Sequence, residues 1–168
     1  MNYHHPQLSR CLAVALTSRG IGYASLEGEG FLIESGHMSI RNGLKNSKCL
    51  KAVRKLVSFY QPDALILQDV VATGSGRHPR IRRLHREVEA FAKNRKLAVK
   101  VISGRQLRQI LLGREHGTKQ EMAEILAKRF PIELAFQLPP KRRSWESADS
   151  RMDIFDAVGL AVAYGIQK

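Results

Sequence analysis

The chain has 168 residues, 43% of them apolar and 26% charged, which suits one folded domain with its own core and is too short for two ordinary ones. Lys and Arg number 28 against 15 Asp and Glu, a formal charge of +13; such a field attracts polyanions, nucleic acid first and an anionic membrane face second. Composition excludes a disordered or fibrous chain, and no apolar run nears the roughly 20 residues that a membrane span needs.

Residues 1–10 lack the apolar core of a signal peptide and are expected to be flexible. Cys11 and Cys49 are the only cysteines. They are too few for a disulfide framework or a zinc site and read as small buried hydrophobes of a cytoplasmic protein.

Apolar runs at residues 11–17 and 21–27 flank Ser18-Arg19-Gly20, which has turn chemistry, so a β-hairpin opens the chain. A third strand is predicted over 31–40. Leu50, Val53, Leu56, Val57 and Tyr60 then recur at three- and four-residue steps, with Lys48, Lys51, Arg54 and Lys55 opposite, and predict an amphipathic helix over about 47–60. The continuous run Ala64-Leu65-Ile66-Leu67 fits a strand buried on both faces. After a glycine-rich stretch at 71–79, Ile81, Leu84, Val88 and Phe91 mark the inward stripe of a basic helix over about 80–96, and 97–102 form a fifth strand. Two shorter helices follow near 104–112 and 119–130, then a basic loop at 139–143 and a closing helix over about 150–164. The order β-β-β-α-β-α-β-α-α-α requires helices covering a sheet that is antiparallel on one side and parallel on the other.

Asp149, Asp153 and Asp156 fall on one face of that closing helix. Two carboxylates about 5 Å apart repel by roughly 3 kcal/mol at an effective dielectric of 20, a cost that a divalent cation removes. An equally good reading is structural, because Ser150 with Asp153 makes a capping box and early acidic residues suit the helix dipole.

Basic residues crowd around the second helix: Arg77, His78, Arg80, Arg82, Arg83, His85 and Arg86. With Ile81, Leu84 and Val88 facing the core, the guanidinium groups are expected outside, where they fork onto phosphate oxygens. Thr73-Gly74-Ser75-Gly76 offers backbone amides to a phosphate but lacks the P-loop pattern. Lys141, Arg142 and Arg143 add charge beside Trp145, the sole tryptophan. Its side chain either stacks on a base or, as the better expectation, packs as a core or lid residue.

Three segments in this order resemble the RuvC-type Holliday junction resolvases of the ribonuclease H-like superfamily. They are Ser18-Arg19-Gly20-Ile21-Gly22-Tyr23-Ala24, then Pro62-Asp63 through Gln68-Asp69, and Asp153-Ile154-Phe155-Asp156-Ala157 through Ala161. The resemblance covers nearly the whole chain. It implies an α/β ribonuclease H-like fold, a mixed five-stranded sheet flanked by helices. It also implies a homodimer that acts on DNA by two-metal hydrolysis, with four acidic side chains holding Mg²⁺ or Mn²⁺. Asp153 and Asp156 match the two acidic positions of the last helix. Ala15 stands where the first-strand aspartate belongs and Gln68 where the middle-strand glutamate belongs.

Alanine cannot ligate a metal, and glutamine offers only a neutral carbonyl. Asp69 is the nearest substitute, although strand neighbours point to opposite faces; Glu27, Glu34 and Asp149 are further candidates. Three readings follow. The first is a Mg²⁺-dependent endonuclease with Asp153, Asp156 and Asp69 as catalytic and metal-binding groups and Gln68 beside them. The second is an inactive DNA-binding module of the same fold. The third is a scaffold whose basic face docks an acidic protein. In the first two, Arg77, Arg80, Arg82, Arg83, Arg86, Lys141, Arg142 and Arg143 contact nucleic acid.

Overall fold

Unbroken burial of its two central strands organises the sheet. The computed structural model describes residues 9–71 and 78–167. Strands β1 (Arg10–Leu16), β2 (Gly20–Glu27) and β3 (Phe31–Ser39) run antiparallel in succession, while β4 (Ala64–Gln68) and β5 (Ala98–Ile102) run parallel to β1. The spatial order is β3-β2-β1-β4-β5. β1 and β4 are therefore central and buried on both faces, which explains their unbroken apolar sequences.

Leu12, Val14 and Leu16 point to one face, where they pack with α1 (Lys45–Tyr60) and α2 (Pro79–Asn94). Ala13 and Ala15 point to the other, under α6 (Met152–Gln167), with α3 (Gly104–Leu112) and α4 (Lys119–Arg129) outside it. Between α4 and α6 lie a short helix α5 (Pro131–Leu134) and a single 3₁₀ turn (Ala135–Gln137), neither of which the periodicity predicts. Pro131 at the first helical position starts the short helix.

Helix α6 is enclosed by the sheet on one side and α3 and α4 on the other, so small residues (Ala157, Gly159, Ala161, Ala163) let its neighbours approach. The closest approach is at its start. A Cβ on Gly22 would stand 2.0 Å from the Asp153 carbonyl oxygen, so only glycine fits there. Gly22 pairs with Ala15 across β1 and β2, which puts the first turn of α6 over the end of the central strands.

Three expectations change in detail. Arg10 is an ordered part of β1, its amide donating to Asp63 Oδ2 at 2.8 Å and its guanidinium meeting Glu27 at 2.7 Å. The Ser150–Asp153 capping box does not form, because the Asp153 carboxylate turns to the sheet. Asp149 lies before α6 and accepts the Arg151 amide instead. Both cysteines are buried and neither forms a disulfide, as expected. No helix among the described residues is long and apolar enough to cross a membrane.

Candidate nucleic-acid interface

The carboxyl ends of β1 and β4, the β1–β2 turn and the end of β3 share one rim of the sheet, since β1 and β4 are parallel and Gly20 pairs with Ser39. The starts of α2 and α6 come to the same rim. Arg80, in the first turn of α2, donates to the Thr17 carbonyl at 3.4 Å, and Arg19 in the turn donates to the Ala148 carbonyl at 3.3 Å.

Asp153 is the buried charge of this rim, with a side chain 1% exposed. Arg19 donates to Oδ1 at 2.7 Å and the Thr17 hydroxyl to Oδ2 at 3.0 Å. His37 Nε2 stands 3.1 Å from Oδ2, out of line for a hydrogen bond. A buried carboxylate needs such a cation and donors to remain charged, and here the protein supplies them all.

Asp156, three residues on, has a different partner: Lys119 of α4 donates to it at 2.7 Å. The two carboxylates thus carry separate cations. Ala15 is buried in the core beneath α6. Val14 pairs with Leu67, so one residue further Ala15 stands beside Gln68, on the side of the sheet that α6 covers. The sequence matches therefore converge on one place, as the resemblance implies.

The expected metal set does not assemble. Asp69 folds back, its Oδ1 accepting the Val71 amide at 2.9 Å. Glu27 pairs with Arg10 at the far end of the hairpin, and Glu34 accepts the Tyr60 hydroxyl. Asp149 is held by a two-point contact from Arg151, at 3.0 and 2.7 Å. That contact, the hydrogen bonds foremost, keeps the Asp149 carboxyl below its usual range. Among the described residues no three His, Cys, Asp or Glu side chains form a group that could hold a metal ion. The described residues at the matched positions do not fit a two-metal centre.

The basic residues divide into two kinds. Arg82, Arg83 and Arg86 lie exposed on α2, and Lys141, Arg142 and Arg143 are exposed in the loop before α6. Arg80 is a half-buried clamp, its guanidinium donating to Asn46 Oδ1 at 2.8 Å while Asn46 donates back to the Arg80 carbonyl at 3.1 Å. It also faces Cys49, whose thiol burial pushes up and the guanidinium partly pulls back. His85 is a core residue, 3% exposed. Arg77 and the Thr73–Gly76 loop lie outside the described residues.

Trp145 reverses its better expectation. It is 76% exposed, with the Arg143 guanidinium 5.6 Å from its ring centre. Sequence reasoning missed the roles of Thr17, Arg19, His37 and Lys119 around the acidic pair. Arg19 stood in a recognised turn, but no spacing rule pairs it with Asp153.

Neither a family model nor a curated relative matches the chain. Solved structures do match. Thermus thermophilus RuvC superposes with a TM-score of 0.65 at 14% identity over 92% of each chain. The same organism's RuvC in complex with a Holliday junction substrate gives 0.69 at 13% identity, again over 92% of each chain. The chain has the RuvC-like ribonuclease H fold. The yeast mitochondrial Holliday junction resolvase also matches, with a TM-score of 0.61 at 13% identity, over 94% of this chain and 78% of that one. Within the RuvC-like fold, the mixed sheet and its flanking helices agree with the architecture implied by the sequence motifs.

Proposed function

We propose that the chain is a DNA-binding module of RuvC-like fold that holds its ligand at the basic rim and does not cleave it. One observation carries this reading. Arg19 neutralises Asp153 at the rim and Lys119 neutralises Asp156 against α4, while Ala15 and Gln68 stand where carboxylates would be needed. A hydrolytic centre requires several acids facing a divalent cation, and these acids face protein cations.

The charge of +13 supports a polyanionic partner. In this reading Arg82, Arg83 and Arg86 form a ridge on phosphates, and Lys141, Arg142 and Arg143 a second contact beside Trp145. Phosphate contacts of this kind give affinity and register without sequence preference. Branched DNA is the first ligand to try, since one matching structure is RuvC in complex with a Holliday junction substrate. The module acts in the cytoplasm, and a homodimer belongs to the same reading, to be checked by light scattering.

The decisive experiment measures binding and cleavage together on junction, duplex and single-stranded DNA, with Mg²⁺ and with Mn²⁺. Salt-dependent binding without product is the expected outcome, and neither ion should raise the melting midpoint, because ligand binding to the native state alone would do so. Metal-dependent cleavage lost in Asp153→Asn would establish the nuclease reading in place of this one. Binding without steep salt dependence would favour a protein-docking scaffold.

A further inference from the structure

A cleft of about 430 Å³ opens beside Asp153, between the β1–β2 turn and the turn that joins β3 to α1. Its charged lining is Arg19, Arg41 and Lys45, with the hydroxyls of Ser18, Ser39 and Ser150 around them. No carboxylate lines it. Asp153, bonded to the lining residue Arg19, and Asp149, next in the chain to the lining residue Ser150, are each paired with a guanidinium, of Arg19 and of Arg151.

Arg19 is committed to Asp153 and the Ala148 carbonyl, but the other cations and the hydroxyls of this cleft are largely unspent. Arg41 is exposed and has no hydrogen-bond or ion-pair partner among the described residues. Lys45 reaches only the Ser18 carbonyl, at 3.5 Å. The hydroxyls of Ser18, Ser39 and Ser150 likewise have no partner among the described residues.

The walls that carry these groups are fixed. The Ile40 amide donates to the Arg19 carbonyl at 2.8 Å and ties the two turns together. Asn42 and Gly43 both take left-handed backbone, with φ of 57° and 67°, turning the chain sharply into α1. Lys48 Nζ donates to the Asn42 carbonyl at 3.0 Å and braces that turn.

Free cations with neutral hydroxyl donors, and no acid, are the chemistry of an oxyanion site. The volume falls within the range of about 300–1,000 Å³ usual for ligand sites, yet Ile40 is the only apolar side chain in the wall. The cleft therefore suits a phosphodiester and offers no platform for a base.

We propose that this cleft grips a backbone phosphate of the bound nucleic acid, with Arg41 and Lys45 as its free cations and Arg19 behind them. It is a contact point separate from the arginine ridge of α2. The proposal rests on the DNA-binding reading above and adds to it a specific, sequence-independent phosphate subsite.

Fluorescence anisotropy with labelled duplex, titrated over a range of KCl concentrations, tests it. Each lost phosphate contact lowers the slope of log K against log salt by about 0.9 on duplex DNA. Arg41→Ala should therefore flatten the slope by about one, and Arg41→Ala with Lys45→Ala by about one to two. Arg41→Lys should keep the wild-type slope. Arg41 is exposed and makes no hydrogen bond or ion pair among the described residues, so Arg41→Ala should fold and remain informative if the double variant melts early.

A wild-type slope in Arg41→Ala, while Arg82→Ala with Arg83→Ala and Arg86→Ala loses contacts, would overturn the cleft and leave the DNA-binding reading standing. A wild-type protein without steep salt dependence would remove both. Inorganic phosphate should compete for the cleft only weakly. Saturation of the cleft by inorganic phosphate, with DNA binding left intact, would assign it to a free oxyanion and overturn the proposal.

Discussion

Arg19 and Asp153, 134 positions apart in the chain, meet at 2.7 Å where the opening hairpin touches the start of the last helix. The pair joins the two motifs that resemble a resolvase and also changes their meaning. A carboxylate expected to bind a metal is already bound to a guanidinium.

Arg19→Gln should destabilise the fold, since Asp153 stays buried with its charge half-compensated. Removing one partner from a buried pair costs about 3–5 kcal/mol. Arg19 is itself about one-third exposed, so a loss of about 1–3 kcal/mol is expected, allowing for solvent screening. Urea unfolding of Arg19→Gln, Asp153→Asn and the double variant should give a coupling of about 0.5–3 kcal/mol. Additive losses would mean that the pair contributes nothing as a pair.

Gly22→Ala places a methyl group 2.0 Å from the Asp153 carbonyl oxygen. Both groups belong to packed backbone, which no side-chain rotation relieves. Overpacking typically costs about 1–3 kcal/mol and more where the neighbour is rigid, so a loss of at least about 3 kcal/mol is expected from thermal unfolding. By contrast Gly165, with nothing near its Cβ position, should accept alanine with no loss.

Trp145→Ala should weaken single-stranded DNA binding by about 1–3 kcal/mol, the usual contribution of one base stacked on an aromatic ring. Stability should not change, because the ring is exposed. In the wild type, Trp145 fluorescence should be quenched on binding, and as the sole tryptophan its signal is unambiguous.

Acid stability should depend on Asp149. Its carboxyl is held below the usual range by Arg151. A lowered folded value adds stability that is complete above the unfolded value of about 3.9 and is lost as pH falls through the folded one. Arg151→Ala should lose this contribution at neutral pH, a small loss because the pair is partly exposed, and so flatten the acid limb, variant and wild type converging as pH falls through that window. Carbon-detected NMR titration of the Asp149 carboxyl reads the same shift directly.

Apolar pattern and turn chemistry determined the five strands, the five longer helices and their order, because apolar residues recur about every 3.6 positions in an amphipathic helix and run unbroken in a strand buried on both faces. The matched motifs also foretold that Ala15, Gln68 and Asp153 would share one end of the sheet. Local pattern did not reach the short helix over Pro131–Leu134, which is too brief to show a period. Nor did it separate Arg80 and His85, drawn inward, from Arg82, Arg83 and Arg86, left outside. Those distinctions arise from packing between helices.

Tertiary structure alone decided which cation each acid faces. Arg19, His37 and Lys119 reach the acidic pair from a turn, an edge strand and a neighbouring helix, across separations that no local period encodes. It also left Trp145 in solvent, since hydrophobicity says what burial would gain and not whether a neighbour exists to provide it. Charge and periodicity are properties of the chain and can be read along it. The pairing of buried charges depends on which distant segments the fold brings within hydrogen-bonding distance, and that is settled only when the core closes.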